Sequence, residues 1–168
     1  MNELEIPPML VHFGAGGPIT LQKRWVSAAL HKAAAEGLSG ALVCALIEVE
    51  SGWRPWAFRY NSIFFSTHLA PLVARGGMSP EAAPMHAISY GLMNVLGNAA
   101  RRAGFRLPLP ILFDPAVNLR IGCIALRRKI DAADGDLERA LLAWNWDGDQ
   151  PDFARQVMSR RKNYAHFE

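Results

Sequence analysis

An apolar run that ends in a glutamate constrains the fold of this chain more than any other segment. Residues 41–49 read Ala-Leu-Val-Cys-Ala-Leu-Ile-Glu-Val, and Ser39 stands where a helix N-cap would stand. Glu50 closes the run, and residues 51–53, Ser-Gly-Trp, follow it with the composition of a turn. The pattern predicts a helix from Ser39 to Glu50 that carries a carboxylate at its C-terminal end.

The position of Glu50 predicts a carboxyl group with a raised pKa. The C-terminal end of a helix carries partial negative charge, which disfavours a further negative charge there. Burial behind Trp53 or Trp56 would also penalise the ionised form. A carboxyl group that keeps its proton near neutral pH can serve as a general acid in the cleavage of a glycosidic bond. A solvated glutamate at a helix end is the alternative, so the interpretation depends on other segments.

Three later segments form a series with Glu50-Ser51. Residues 89–94 read Ser-Tyr-Gly-Leu-Met-Asn, residues 118–122 read Asn-Leu-Arg-Ile-Gly, and residues 143–145 read Ala-Trp-Asn. In this order they resemble the motifs of the soluble lytic transglycosylases, relatives of goose-type lysozyme: Glu-Ser, Gly-Leu-Met-Gln, Asn-Ile-x-x-Gly and Ala-Tyr-Asn. Each motif is weak alone, but four in the same order are specific. The resemblance extends over roughly residues 38–164.

The resemblance implies a fold and an activity. The fold would be all-α, a lysozyme-like single domain with a saccharide-binding groove between its helices. The activity would be cleavage of the β-1,4 bond between N-acetylmuramic acid and N-acetylglucosamine in peptidoglycan, which leaves a 1,6-anhydro ring on the product. Glu50 matches the glutamate that acts as both general acid and general base, and no cofactor or metal ion is implied. The expected partner is the peptidoglycan glycan strand, bound by a monomer.

The matched motifs and their surroundings also predict the substrate-binding residues. Gly91 would let the backbone approach a sugar, because it has no side chain. Asn94 keeps the amide of the family's glutamine but is one methylene shorter, and aromatic Tyr60 would contribute to one wall of the groove. The full set of residues expected to bind substrate is Ser51, Tyr60, Tyr90, Gly91, Met93, Asn94, Trp144, Asn145 and Phe153.

Two tyrosines of the family pattern are replaced in this chain. Trp144 stands in place of the tyrosine in Ala-Tyr-Asn, and Phe153 falls where a second tyrosine is common. Neither residue has a hydroxyl group, so we expect another hydroxyl to lie within hydrogen-bond reach of Glu50 and orient its carboxyl group. Trp144 would then be an apolar wall beside that carboxyl group. The candidate hydroxyls are those of Tyr90, Ser62, Ser66 and Ser89.

The chain divides into an arm and one domain. Residues 1–17 read as an irregular arm because of prolines and glycines, and residues 18–168 read as the catalytic domain. The connection over residues 58–90 is longer than usual for the family and rich in aromatic residues. It predicts either a wall of the saccharide groove or extra core packed on one side. Helices are predicted at about 21–36, 39–50, 94–103, 114–133, 136–144 and 151–164, with a short one after Ser79, and strand signals are poor.

Composition excludes several other classes. A net charge of +3, spread along helical segments, does not indicate a nucleic-acid footprint. The histidine and cysteine spacings fit no metal site, and no apolar stretch approaches the ~20 residues of a membrane span.

The opening residues lack the features of a secretory signal, so we expect synthesis in the cytoplasm and access to the cell wall through a holin-type pore or on a virion, as in phage enzymes. Cys44 and Cys123 are interpreted as core thiols, with a disulfide as the alternative.

Two other functions remain open at this level. A hydrolytic lysozyme on the same fold would need a second carboxylate. Glu48 is poorly placed for that role, since residues i and i+2 face apart on a helix, whereas Asp147 and Asp149 follow the Trp144-Asn145 segment directly. The other alternative is an inactive wall-binding structural protein of a phage, which the loss of the tyrosines favours and the presence of Glu50 opposes.

Overall fold

The computed structural model describes residues 17–145 and 152–168 of the chain. These residues are predominantly helical, which confirms the all-α expectation. The predicted arm, apart from Gly17, lies outside the described residues, as do Asp147 and Asp149. None of the described helices is long and apolar enough to cross a membrane. The helices are α1 (Gly17–Ala35), α2 (Gly40–Ser51), α3 (Ser62–Phe64), α4 (Ala70–Ala74), α5 (Ala83–His86), α6 (Gly97–Arg102), α7 (Pro115–Ala132), α8 (Leu137–Trp144) and α9 (Phe153–Arg161).

Helix α2 lies at the centre of the domain. Every residue from Ala41 to Ile47 is buried, as expected for a helix that is apolar on all sides. The Ser39 side chain accepts a hydrogen bond from the N–H of Leu42 at 3.1 Å, which is the predicted N-cap. Gly52 ends the helix with a φ of 55°, and its N–H donates to the carbonyl of Glu48. Helices α1 and α9 and the C-terminal turns pack around α2, so its last turn, with Glu50, is held in place from several sides.

Helix α7 supplies the second long element of the core. Asp114 caps it by accepting from the N–H of Val117, and Pro115 occupies its first position, so the helix begins where it was predicted to begin. The two cysteines lie on α2 and α7, and both are buried free thiols. Burial raises the pKa of Cys44 and that of Cys123 to about 12, so both stay protonated and unreactive at neutral pH.

A small antiparallel sheet, which the sequence did not indicate, stands beside the helices. Its strands are β1 (Phe58–Tyr60), β2 (Ile88–Tyr90) and β3 (Val95–Leu96), in the order β1-β2-β3. Phe58 pairs with Tyr90, and Tyr90 pairs with Val95. Strands of two or three residues are too short to show an alternating pattern, and these depend on pairing between distant segments. The helix predicted from residue 94 therefore begins later, at Gly97.

Residues 61–87 connect β1 to β2 and form a second apolar cluster. Asn61 caps α3 by accepting from the N–H of Phe64 at 2.6 Å, and a π-helical turn, Phe65–Leu69, follows. Phe64 is only 4% exposed, whereas Phe58 and Tyr60 on β1 are 69% and 47% exposed. The segment predicted as an insertion thus contains both buried core and exposed aromatic surface. The buried residues of this second cluster are Phe64, Leu69, Ala83, Ala87 and Leu96.

Candidate active site

Two N–H groups from distant parts of the chain hold the carboxylate of Glu50. The indole Nε1 of Trp144 donates to Oε1 at 2.8 Å, and the amide Nδ2 of Asn94 donates to Oε2 at 3.0 Å. Glu50 lies in the last turn of α2, Asn94 in the β2–β3 turn, and Trp144 at the end of α8. The fold therefore brings the first, second and fourth sequence motifs together on one carboxylate, although they are 44 and 94 residues apart.

Two of the four hydroxyls expected near Glu50, those of Tyr90 and Ser66, donate to other groups. The hydroxyl of Tyr90 donates to the carbonyl of Met85 at 2.9 Å, and the hydroxyl of Ser66 donates to the carbonyl of Ile63 at 3.1 Å. Trp144 is not only an apolar wall, because its ring N–H donates a hydrogen bond to Glu50. Asn94 reaches Glu50 despite its short side chain. Its backbone adopts a φ of 47°, in the left-handed region that asparagine tolerates better than most residues.

Asn118 on α7 supports the turn that carries Asn94. Its side chain is fully buried and makes three hydrogen bonds to backbone groups. The amide nitrogen donates to the carbonyls of Tyr90 at 2.7 Å and Leu112 at 2.9 Å, and the amide oxygen accepts from the N–H of Met93 at 2.9 Å. An asparagine on the buried face of a helix must satisfy its polar atoms in this way. Asn118 belongs to the third motif, but no role was predicted for it; its presence among apolar helix positions was the available signal.

Two glycines allow this support to pack closely. Gly91 has a φ of 73°, and a Cβ there would collide with the side chain of Asn118 and the carbonyl of Leu112. A Cβ at Gly122 on α7 would collide with the side chain of Met93. The space beside Gly91 is therefore filled by protein, which corrects the expectation that a sugar approaches there. The third motif, residues 118–122, therefore packs against the turn of the second motif, residues 89–94, and supports it.

A groove of about 610 Å³ opens at Glu50. Two of the aromatic residues along it are highly exposed, Trp56 at 64% and Phe58 at 69%. Exposed aromatic faces beside a carboxylate are suited to stacking on sugar rings. The residues that line the groove are Glu50, Arg54, Pro55, Trp56, Ala57, Phe58, Arg59 and Asn94.

A smaller inner cavity also borders Glu50. Its volume of about 20 Å³ is enough for one water molecule. Glu50, Arg59 and Asn94 line both this cavity and the groove, and Ser89, Lys129 and Trp144 help to close it. Arg59 Nε and Asn94 Oδ1 are buried without a hydrogen-bond partner among the described residues. Arg59 lines both spaces, and its part in the site was not predicted from the sequence.

Several residues expected to touch the substrate lie in the core instead. The exposed fraction is 1% for Ser51, 2% for Tyr90, 0% for Met93 and 3% for Phe153, so their side chains cannot face a ligand in the groove. Ser51 donates to the carbonyl of Ile47 within α2. The physical reason is that Tyr90, Met93 and Phe153 are part of the main apolar core, while Ser51 bonds within its own helix. Asn145, 8% exposed, is also buried, and Gly91 is buried in the turn.

Two further expectations concern residues at the edge of the site. Tyr60 is half-exposed on β1, and its ring lies 6.1 Å from that of Phe65. The Trp53 indole N–H donates to the hydroxyl of Tyr164 at 3.2 Å, on the side of Glu48. Trp53 therefore does not bury Glu50, contrary to expectation. Within the residues that the structure describes, no group of three or more His, Cys, Asp or Glu side chains is arranged to hold a metal ion.

Residues 27–164 match the Transglycosylase SLT domain family over most of the chain. The chain belongs to the Transglycosylase SLT domain family. The SLT domain has a lysozyme-like fold, which confirms that part of the fold expectation, and its function is of the lytic transglycosylase type, directed at peptidoglycan. Searches of curated proteins and of solved structures returned no match for this SLT domain.

Proposed function

We propose that this SLT domain cleaves the β-1,4 bond between N-acetylmuramic acid and N-acetylglucosamine with Glu50 as its single acid and base. The observation that supports the proposal is that one carboxylate borders both a groove with exposed aromatic residues and an inner cavity. Among the described residues that line these two spaces, Glu50 is the carboxylate. Trp144 and Asn94 hold both of its oxygens and so fix the plane of the carboxyl group.

The first step is the departure of the leaving sugar. Protonated Glu50 gives its proton to the glycosidic oxygen, and the bond from that oxygen to C1 of the muramyl residue breaks. The acetamido group of the same sugar stabilises the positive charge that forms at C1. Glu50 is now a carboxylate, and the N–H groups of Trp144 and Asn94 stabilise its negative charge. These two donors therefore act where charge develops in the reaction.

The second step closes the anhydro ring and restores the enzyme. The Glu50 carboxylate takes the proton from the C6 hydroxyl of the muramyl residue, and O6 forms a bond to C1. Glu50 again carries a proton, so the cycle needs no second carboxylate. No water molecule is consumed, because the C6 hydroxyl takes its place. A hydrolase with two carboxylates would instead use a water molecule and leave a reducing end.

Product analysis tests the proposal. Purified sacculi are digested with the wild-type protein, and the released muropeptides are identified by mass before and after borohydride treatment. We expect products that end in 1,6-anhydro-N-acetylmuramic acid, which have lost one water relative to hydrolysis products and are not reduced. Reducing ends would establish a hydrolytic lysozyme and overturn the single-carboxylate mechanism. Intact sacculi after long digestion would establish a wall-binding protein without activity.

A further inference from the structure

A second concave surface of the domain is strongly basic. A cavity of about 480 Å³ lies among α6, α7 and α8. Four cationic side chains line it, and no carboxylate is found among its described lining residues. We call it the basic cavity. It is lined by Asn98, Ala99, Arg102, Ala103, Ala125, Arg128, Lys129, Ala132, Ala133, Arg139 and Ala143.

The positive charge of the basic cavity is only partly neutralised. Arg139 forms an ion pair with Asp134 at 3.1 Å. Within residues 17–145 and 152–168, no ion pair involves Arg102 or Arg128, and Arg128 donates to the backbone carbonyl of Arg102. Burial lowers the pKa of Lys129, and the nearby charge of Arg102 lowers it further. Like charges that converge in a concave surface repel one another and concentrate a positive potential, which an anionic ligand relieves.

The basic cavity adjoins the site at Glu50. Ala99 and Lys129 line both the basic cavity and the inner cavity. The Lys129 ammonium group donates to the carbonyl of Ala143, the residue directly before Trp144, whose indole N–H holds Glu50. A ligand in the basic cavity would therefore lie beside the site at Glu50, where the proposed cleavage of the glycan strand takes place. This proximity favours an anionic group that belongs to the same substrate over an independent polyanion.

We propose that the basic cavity binds the carboxylates of the peptide stem that each N-acetylmuramic acid residue of the glycan carries. The inference rests on the proposed function, because it takes the glycan strand as the ligand of the groove. Peptide stems carry several carboxylates, whereas the sugar rings to which they are attached carry none. Guanidinium groups such as those of Arg102 and Arg128 bind carboxylates through paired N–H donors. The alanine methyl groups between them leave room for a short peptide backbone.

Kinetics on two substrates test the inference. The double variant Arg102→Gln/Arg128→Gln removes two charges and leaves Lys129, which also lines the inner cavity, unchanged. We expect kcat/KM on stem-bearing glycan strands to fall about threefold to tenfold, the size expected for two exposed ion pairs. Activity on strands whose stems an amidase has removed should stay the same. The matched control Arg75→Gln/Arg120→Gln removes two exposed arginines outside the basic cavity and should change neither rate. An equal loss on both substrates, or a loss on neither, would overturn the inference.

A binding measurement separates this inference from the proposed function. Titration calorimetry of the free stem peptide against the wild-type domain needs no catalysis. We expect binding that weakens with salt, that amidation of the peptide carboxylates abolishes, and that Arg102→Gln alone reduces. Arg102→Gln should fold like wild type, because the Arg102 side chain makes no hydrogen bond to another described residue that the change would remove. Binding of polyphosphate or teichoic acid with no binding of the stem peptide would overturn the inference, even if the sacculus products are anhydro-ended.

Discussion

Glu48 and Glu50 occupy the same end of α2, but the fold gives them different partners. Glu48 accepts a hydrogen bond from the hydroxyl of Tyr164 at 2.7 Å and lies 3.4 Å from the guanidinium of Arg160. Glu50 accepts from the N–H groups of Trp144 and Asn94 and borders two cavities. Two positions along a helix correspond to a rotation of about 200° around its axis, so the two carboxylates point to nearly opposite sides.

The surroundings of Glu48 and Glu50 show what distinguishes a carboxylate with a structural role from one that is available for chemistry. On the Glu48 side, a hydroxyl and a cation from the C-terminal segment close over the carboxylate, and Trp53 packs with them through its bond to Tyr164. On the Glu50 side, the partners fix the carboxyl group but leave it facing open space. Residue type and helix are the same, so the difference comes from which distant segments pack against each face.

The largest expected effect is on the rate of wall cleavage. Glu50→Gln keeps the size and the polarity of the side chain but cannot transfer a proton, so we expect a loss of ~10²–10⁴ in rate. The matched variant Glu48→Gln, two residues away on the same helix, should lose less than twofold. Turbidity of a sacculus suspension measures both rates, and circular dichroism checks that both variants are folded. A comparable loss in Glu48→Gln would show that the two sides act together as a two-carboxylate site.

Aromatic residues near Glu50 extend the comparison to buried and exposed surfaces. Phe64→Ala removes a buried ring from the second apolar cluster, and we expect it to lower the free energy of unfolding by roughly 3–5 kcal/mol. Phe58→Ala removes an exposed ring of the groove, so it should leave unfolding nearly unchanged and weaken the binding of chitooligosaccharides. Urea unfolding and fluorescence titration measure the two effects. Unchanged chitooligosaccharide affinity in Phe58→Ala would remove β1 from the saccharide-binding surface.

The two tryptophans on opposite sides of α2 make the next matched pair. Trp144→Phe keeps an aromatic ring but loses the N–H that donates to Glu50, and we expect activity to fall about tenfold to a hundredfold, as for a hydrogen bond to a charged group. Trp53→Phe loses the N–H that donates to Tyr164 and should retain nearly full activity. Initial rates on sacculi give the answer. Full activity of Trp144→Phe would mean that the indole N–H is not needed to orient the carboxyl group.

The smallest expected effect concerns the side of Glu48. Tyr164→Phe removes the hydroxyl that donates to Glu48 and keeps the ring in its place, so we expect the free energy of unfolding to fall by about 1 kcal/mol. Urea unfolding measures that change, and sacculus digestion should proceed at the wild-type rate. A slower digestion without any loss of stability would assign Tyr164 to the catalytic side of the domain.

Local signals predicted much of the helical framework. Ser39, Asp114 and Asp136 each cap a helix that was predicted to begin at that position, because an N-cap depends on a side chain and the N–H groups two or three residues later. The three-stranded sheet was not predicted, since β1 and β2 pair across residues 61–87 and neither strand has a pattern of its own. Interactions between residues a few positions apart can be predicted from the sequence, whereas pairing between distant segments cannot.

The sequence by itself determined the family resemblance, the apolar helix that ends at Glu50 and the order of the motif segments. Only the tertiary structure decided which of these residues contact Glu50 and which support the residues that do. Asn94 and Trp144 meet Glu50, Asn118 holds the turn beneath Asn94, and Arg59 joins the site from β1. A replaced tyrosine suggested a missing hydroxyl, but the fold brings an indole N–H to the carboxylate instead. A residue's type limits which bonds it can make, and the packing of segments far apart in the chain selects which of those bonds form.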